Sequence, residues 1–140
     1  MARRRSALAG AVAALVWAAG EPLDRRVVHG GYSDVALLGK TFTRGPAWPV
    51  LGLALHAANG AAFGLAFEEI RRRTRIEPVR LGVALALTEH VALYPLTLLI
   101  DRFHPARGEP GVTNLASTRN FGLATYRHAL FGVVLGRLAA

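Results

Sequence analysis

The sequence contains no cysteine. Disulfides, cysteine–zinc sites and thiol catalysis are thereby excluded. Charge is also scarce: 19% of the 140 residues are Asp, Glu, Lys or Arg, against 52% that are hydrophobic. The charges gather in short blocks between long apolar runs, the pattern of a chain solvated by lipid in some stretches and by water in others. Acidic residues are few, 9 against 17 basic ones, which leaves a formal net charge of +8. A basic balance raises nucleic acid as a partner, but the placement argues against it. Arg3, Arg4 and Arg5, and Arg71, Arg72, Arg73 and Arg75, abut apolar runs. Anionic lipid headgroups fit such blocks, and no nucleic-acid partner is expected.

Local catalytic signals are missing too. Gly30-Gly31 is a turn signal and not a phosphate loop, because no Gly-Lys-Ser/Thr follows. Ser6, Ser33 and Ser117 stand in no nucleophile context. There is no internal repeat, and the length suits a single domain covering residues 1–140.

What is present is a series of four apolar runs, which predicts an all-α integral membrane bundle of four transmembrane helices. The runs cover residues 6–20, 47–67, 81–100 and 120–139. The first is short for a span, which needs roughly 20 residues. It has two open readings: a retained helix held through Gly10, Ala14 and Ala18, or a cleaved leader ending at Ala18-Ala19-Gly20. The second run is framed by Pro46 and Pro49, where proline is tolerated, and closed by Glu68 and Glu69. In the third, Pro95 removes a backbone donor and predicts a kink. The fourth holds Arg127 and His128, yet its Gly132-x-x-x-Gly136 seam supports a packed helix.

The outward loops are expected at 21–46 and 101–119, and a cytoplasmic loop at 68–80. Within the first loop, residues 32–42 suit a short interfacial helix or a re-entrant turn. Arginine is concentrated in the short 68–80 loop, which favours both termini inside. Abundant alanine and 15 glycines fit close helix packing in lipid, and a homo-oligomer or a larger membrane complex is an open possibility.

Three runs each carry a histidine near the middle: His56, His90 and His128. At about 1.5 Å per residue all three fall near one depth. Asn59 lies one turn from His56, Glu89 adjoins His90, and Arg127 adjoins His128. Ionisable groups at that depth are costly and normally face the bundle interior in pairs. His56 shares its face with Gly60 and Gly64, and His128 with Gly132 and Gly136, so these stripes are expected at helix contacts. Glu89 and Arg127, each about 100° from the neighbouring histidine, are expected to pair with each other. The bland reading is that His56, Asn59, His90 and His128 simply hydrogen-bond between helices. The functional one is a proton site, since histidine titrates near neutrality. Metal or haem ligation by His56, His90, His128 and Glu89 is the alternative, though no spacing is diagnostic and the cofactor stays unknown. Glu21, Asp24, Asp34, Asp101 and His104 read as solvated loop groups.

The layout resembles the YagU-like small bacterial inner-membrane proteins. The likeness lies in an alanine- and glycine-rich first span leading to Glu21-Pro22, in His56 followed by Phe63-Gly64, in a basic loop, in His90 followed by Pro95, and in a fourth span with His128. The chain departs from that layout in a short first outward loop and in Arg127, where glycine is more usual. The resemblance implies a multi-pass protein of the bacterial cytoplasmic membrane, of largely unassigned function and loosely linked to acid stress. It carries over no catalytic residues. Three functions are thus expected, in order: a non-enzymatic membrane protein that responds to or conducts protons; a metal- or haem-binding membrane protein; and an accessory subunit packed through its glycine seams.

Overall fold

The computed structural model describes residues 1–27 and 31–140. All regular structure among them is helical: α1 (Ala2–Val27), α2 (Asp34–Phe42), α3 (Trp48–Arg71), α4 (Pro78–Leu93), a 3-10 turn (Tyr94–Leu96), α5 (Thr97–Phe103) and α6 (Thr118–Ala139). Of the turn expected at Gly30-Gly31, Gly30 lies outside the described residues.

The helix starts follow local chemistry. Ser33 caps α2 by accepting from the Ala36 amide at 3.1 Å. Ser117 caps α6 through the Asn120 amide at 3.2 Å. Glu77 caps α4 by accepting from the Val79 and Arg80 amides at 3.1 and 3.0 Å, and these bonds hold its carboxyl below the usual carboxylate range. Pro95 interrupts the third apolar run as expected: the helix narrows to the 3-10 turn and resumes as α5.

Three helical stretches are long and apolar enough to cross a membrane: Ala2–Val27, Trp48–Arg71 and Pro78–Phe103. The outermost is the last, where Val91, Leu98 and Leu99 are 61%, 64% and 54% exposed, a surface suited to lipid. α6 has 22 residues, but Arg127 and the polar groups around it keep it outside that set. The first stretch is longer than expected. Its 26 residues run past Gly20 and take in Glu21, Pro22 and Asp24, so much of the supposed outward loop 21–46 is helical. The carboxylates that closed the apolar run are satisfied inside the protein and so do not end the helix.

Glycine fixes the packing. α1 and α3 cross where Gly10 meets Gly60 and where Ser6 meets Gly64; a Cβ at any of the three glycines would overlap backbone of the other helix. α4 and α6 meet in the same way at Gly82 and Gly132, with Gly136 against Val79. These are the seams expected of small residues in lipid. α1 therefore lies between α3 and α6, and α6 between α1 and α4, while α2 packs on the start of α3. α3 and α4 barely touch. The half of the bundle holding both termini is filled by Ala9, Ala13, Phe67, Leu81, Ala86, Phe131 and Leu135. At that end Arg3 pairs with Glu69 at 3.1 Å and Arg5 donates to the Leu138 carbonyl at 3.0 Å.

Candidate functional site

The gap between α3 and α4 forms a cavity of about 380 Å³ in the half of the bundle remote from the termini. α1 contributes Trp17, α2 Asp34, α3 His56 and Asn59, α4 Glu89 and His90, and α6 Asn120 and His128. The three histidines expected at one depth thus line one space. Asn59 does not join the buried cluster as expected: it is exposed, on the cavity's rim. Glu89 and His128 are half-buried.

The rings form a continuous series. Trp17 meets His56 edge-on at 5.4 Å and His128 at 4.7 Å. His128 stacks on His90 at 4.7 Å with 29° between planes, and His90 lies 4.7 Å from Phe121. This geometry gives the metal reading no support. Trp17 stands between His56 and His128, the stacked rings of His90 and His128 turn faces and not lone pairs to each other, and among the described residues no three His, Cys, Asp or Glu side chains are grouped to hold a metal ion.

The hydrogen bonds fix the tautomers. His128 Nδ1 lies 2.7 Å from the Ala124 carbonyl; a carbonyl only accepts, so Nδ1 carries the proton and Nε2 presents a lone pair. Thr125 donates to the Phe121 carbonyl at 2.8 Å, so it accepts from His90 Nε2 at 3.0 Å. His128 Nε2 faces Glu89 Oε2 at 4.0 Å, a pair that is ionic only when the imidazole is protonated.

The expected Glu89–Arg127 pair is not formed. Arg127 turns the other way, toward α1 and the start of α2. Its Nε and Nη2 donate to the two oxygens of Asp24 at 2.8 and 2.7 Å, its Nη1 to Asp34 at 3.0 Å, and its Nη2 also to the Tyr32 carbonyl at 3.1 Å. Glu21 lies 4.0 Å away, and the Tyr32 ring covers the guanidinium. The reason is the rotation between adjacent helical residues: with His128 facing α4, Arg127 faces α1. Burial, with the Asp34 carboxylate nearby, pushes the Tyr32 hydroxyl well above its ordinary range.

Glu21, Asp24, Asp34, Asp101 and His104 are therefore structural and not solvated loop charge. Glu21 is buried and accepts from the Asp34 amide at 2.8 Å and from Ser33. Trp17 donates to Asp34 at 3.0 Å. Asp101 accepts from the Leu115 and Ala116 amides at 2.7 and 2.8 Å, and His104 donates to the Leu37 carbonyl at 3.0 Å while accepting from the Ala106 amide. Trp17, Glu21 and Asp24 were legible in principle, because they extend the stripe of Gly10 and Ala14 at helical spacing.

The chain matches no family model, no curated protein and no solved structure.

Proposed function

We propose that the chain is a four-span membrane protein whose cavity takes up and releases a proton at the Glu89–His128 pair, as a pH-responsive site and not a conductor. The observation that carries this is the position of Glu89. It lies near the middle of the Pro78–Phe103 stretch, and among the described residues its one ionic partner is His128. A carboxylate at that depth requires a compensating charge or its own proton. Neutral His128 supplies neither, and protonated His128 supplies the charge, so the pair is a two-state element biased by pH. The groups facing His128 are Glu89 and His90 from the α4 side, Trp17 from α1 and, across Trp17, His56 from α3; Arg127, next to it on α6, is already neutralised by Asp24 and Asp34. Conduction would need a polar route onward to the termini, and that half of the bundle is the apolar core of Ala9, Ala13, Phe67 and Leu135.

α6 is the fourth span on this reading. Its far end meets Arg5 through Leu138, so it returns the chain to the end where α1 begins, and its arginine is neutralised inside the bundle. The arginines at that end, Arg71, Arg72, Arg73 and Arg75 among them, favour the cytoplasmic side and anionic headgroups for it. The resemblance of the sequence layout to YagU-like proteins supports a bacterial inner membrane.

The test is a ¹⁵N-histidine NMR titration in lipid nanodiscs from about pH 3 to 8, a window that includes and extends below the ordinary histidine range. His128 is expected to change protonation state in the wild type and to lose its coupling to Glu89 in Glu89→Gln. A His128 signal indifferent to both pH and Glu89→Gln would sink the reading, and proton flux through liposomes would replace it with conduction.

A further inference from the structure

We propose that the same cavity is a lateral-entry site for an amphiphile with an ammonium head, taken from the bilayer between α3 and α4. The proposal deepens the reading of Glu89–His128 and rests on it in one respect: an ammonium is a second way to compensate the same carboxylate.

Leu93, Leu96 and Ile100 line the cavity yet are 51%, 49% and 37% exposed, so its mouth opens on the outer surface of a membrane-spanning stretch. In a bilayer that mouth meets acyl chains, and these side chains give an alkyl tail an apolar path.

The cavity wall is richer in open acceptors than in open donors. Buried donors in the wall are spent within the protein, while the Asn59 side-chain amide stands exposed at the rim. Trp17 donates to Asp34, His90 to Thr125, Tyr94 to the Ser117 carbonyl, and the Asn120 amide to the Asn114 carbonyl. The nearest guanidinium, Arg127, is saturated by Asp24 and Asp34. Acceptors remain. His56 and Asn120 are 7% and 6% exposed, and His56 Nε2 and Asn120 Oδ1 have no protein partner. Interaction with the Ala14 backbone favours the proton on His56 Nδ1, which leaves Nε2 as an acceptor. His128 Nε2 and the Glu89 carboxylate complete the set. Unpaired buried acceptors favour a ligand rich in N–H donors, and the carboxylate favours a cationic one. An anionic head would meet Glu89 with only the neutral rim amide of Asn59 to offset it.

Trp17 reports on the site. The chain has two tryptophans, so Trp48→Phe leaves Trp17 alone. In phosphatidylcholine nanodiscs near neutral pH, decylamine is expected to change Trp17 emission saturably. Decanol, decanoate and the Glu89→Gln variant with decylamine should each require about tenfold more ligand, or show no saturation, for loss of one charge-assisted bond. Ethylamine in the aqueous phase tests the route, and saturation at the same aqueous concentration would overturn lateral entry. An unsaturable decylamine response, or one unchanged in Glu89→Gln, would overturn the ammonium site. The ¹⁵N titration on the same samples separates the two readings. A pH-responsive His128 without decylamine binding defeats this inference alone, whereas decylamine binding beside a pH-silent His128 supports it and defeats the proton reading.

Discussion

Arg127 and Asp24, 103 residues apart in the chain, form a two-pronged ion pair at 2.8 and 2.7 Å with the guanidinium almost wholly buried. Asp34 and Glu21 stand on the same charge. Removing the arginine strands up to three carboxylates against a single protein wall. Arg127→Ala is therefore expected to destabilise by on the order of 3–5 kcal/mol, measured by detergent or thermal unfolding. Adding Asp24→Asn to Arg127→Ala should recover part of that loss, and adding Glu89→Gln should recover none. A cycle in which Glu89 and not Asp24 couples to Arg127 would contradict the observed pairing.

The helix crossings set a second expectation. A Cβ on Gly10 would overlap the Gly60 carbonyl, while one on Gly20 or Gly122 meets nothing within 4 Å. Gly10→Ala should thus force α1 and α3 apart and destabilise. Gly20→Ala and Gly122→Ala should be neutral or stabilising by up to about 1 kcal/mol through helix propensity. The three variants share one chemical change, so an equal effect at all three would show that packing at the α1–α3 seam is not what Gly10 provides.

Much of this architecture was legible. Hydropathy located every long helix, Pro95 located the break, and the spacing of Gly60, Gly64, Gly132 and Gly136 located the seams. Common depth and the small-residue faces they share pointed the three histidines into one space. The partner of Arg127 was not legible, because two facts were hidden. Hydropathy ended the first run at Gly20, which put Glu21 and Asp24 in solvent. Depth also says nothing of rotation: the same 100° step that separates Arg127 from His128 sends one to α1 and the other to α4. A carboxylate stripe continuing the Gly10–Ala14–Trp17 face was the available signal. Asp101 and His104 were unreadable for a different reason, since their partners are mainly backbone groups that no residue type reveals.

Ser6 and Glu68 carry a third expectation. Ser6 is 1% exposed and donates to Glu68 Oε2 at 2.8 Å, joining the start of α1 to the end of α3, while Arg71 holds the same carboxylate. Ser6→Ala removes one donor and leaves the Arg71 pair, so the loss should be near 1–2 kcal/mol. Glu68→Leu removes the acceptor from both and should cost more than Ser6→Ala. The reverse order in unfolding midpoints would mean that the serine packs α1 and does not bond it.

Asp101 gives the last. Its two oxygens accept from the consecutive Leu115 and Ala116 amides, and Tyr94 donates to the carbonyls of Leu115 and Ser117 at 3.3 and 3.0 Å. The segment before α6 is thereby held from both sides over the cavity, where Leu115 is part of the wall. Asp101→Ala leaves two amides without their acceptor, each worth about 1–3 kcal/mol if water cannot replace it. Hydrogen exchange at Leu115 and Ala116 should quicken at least tenfold in Asp101→Ala, while amides in the α1–α3 seam should not change. Asp101→Asn retains one acceptor oxygen and should fall between. If exchange rises equally in the seam, Asp101 supports the whole bundle and not this wall. If it rises only at Leu115 and Ala116, the cavity has one wall that can loosen without unfolding the helices that form the rest.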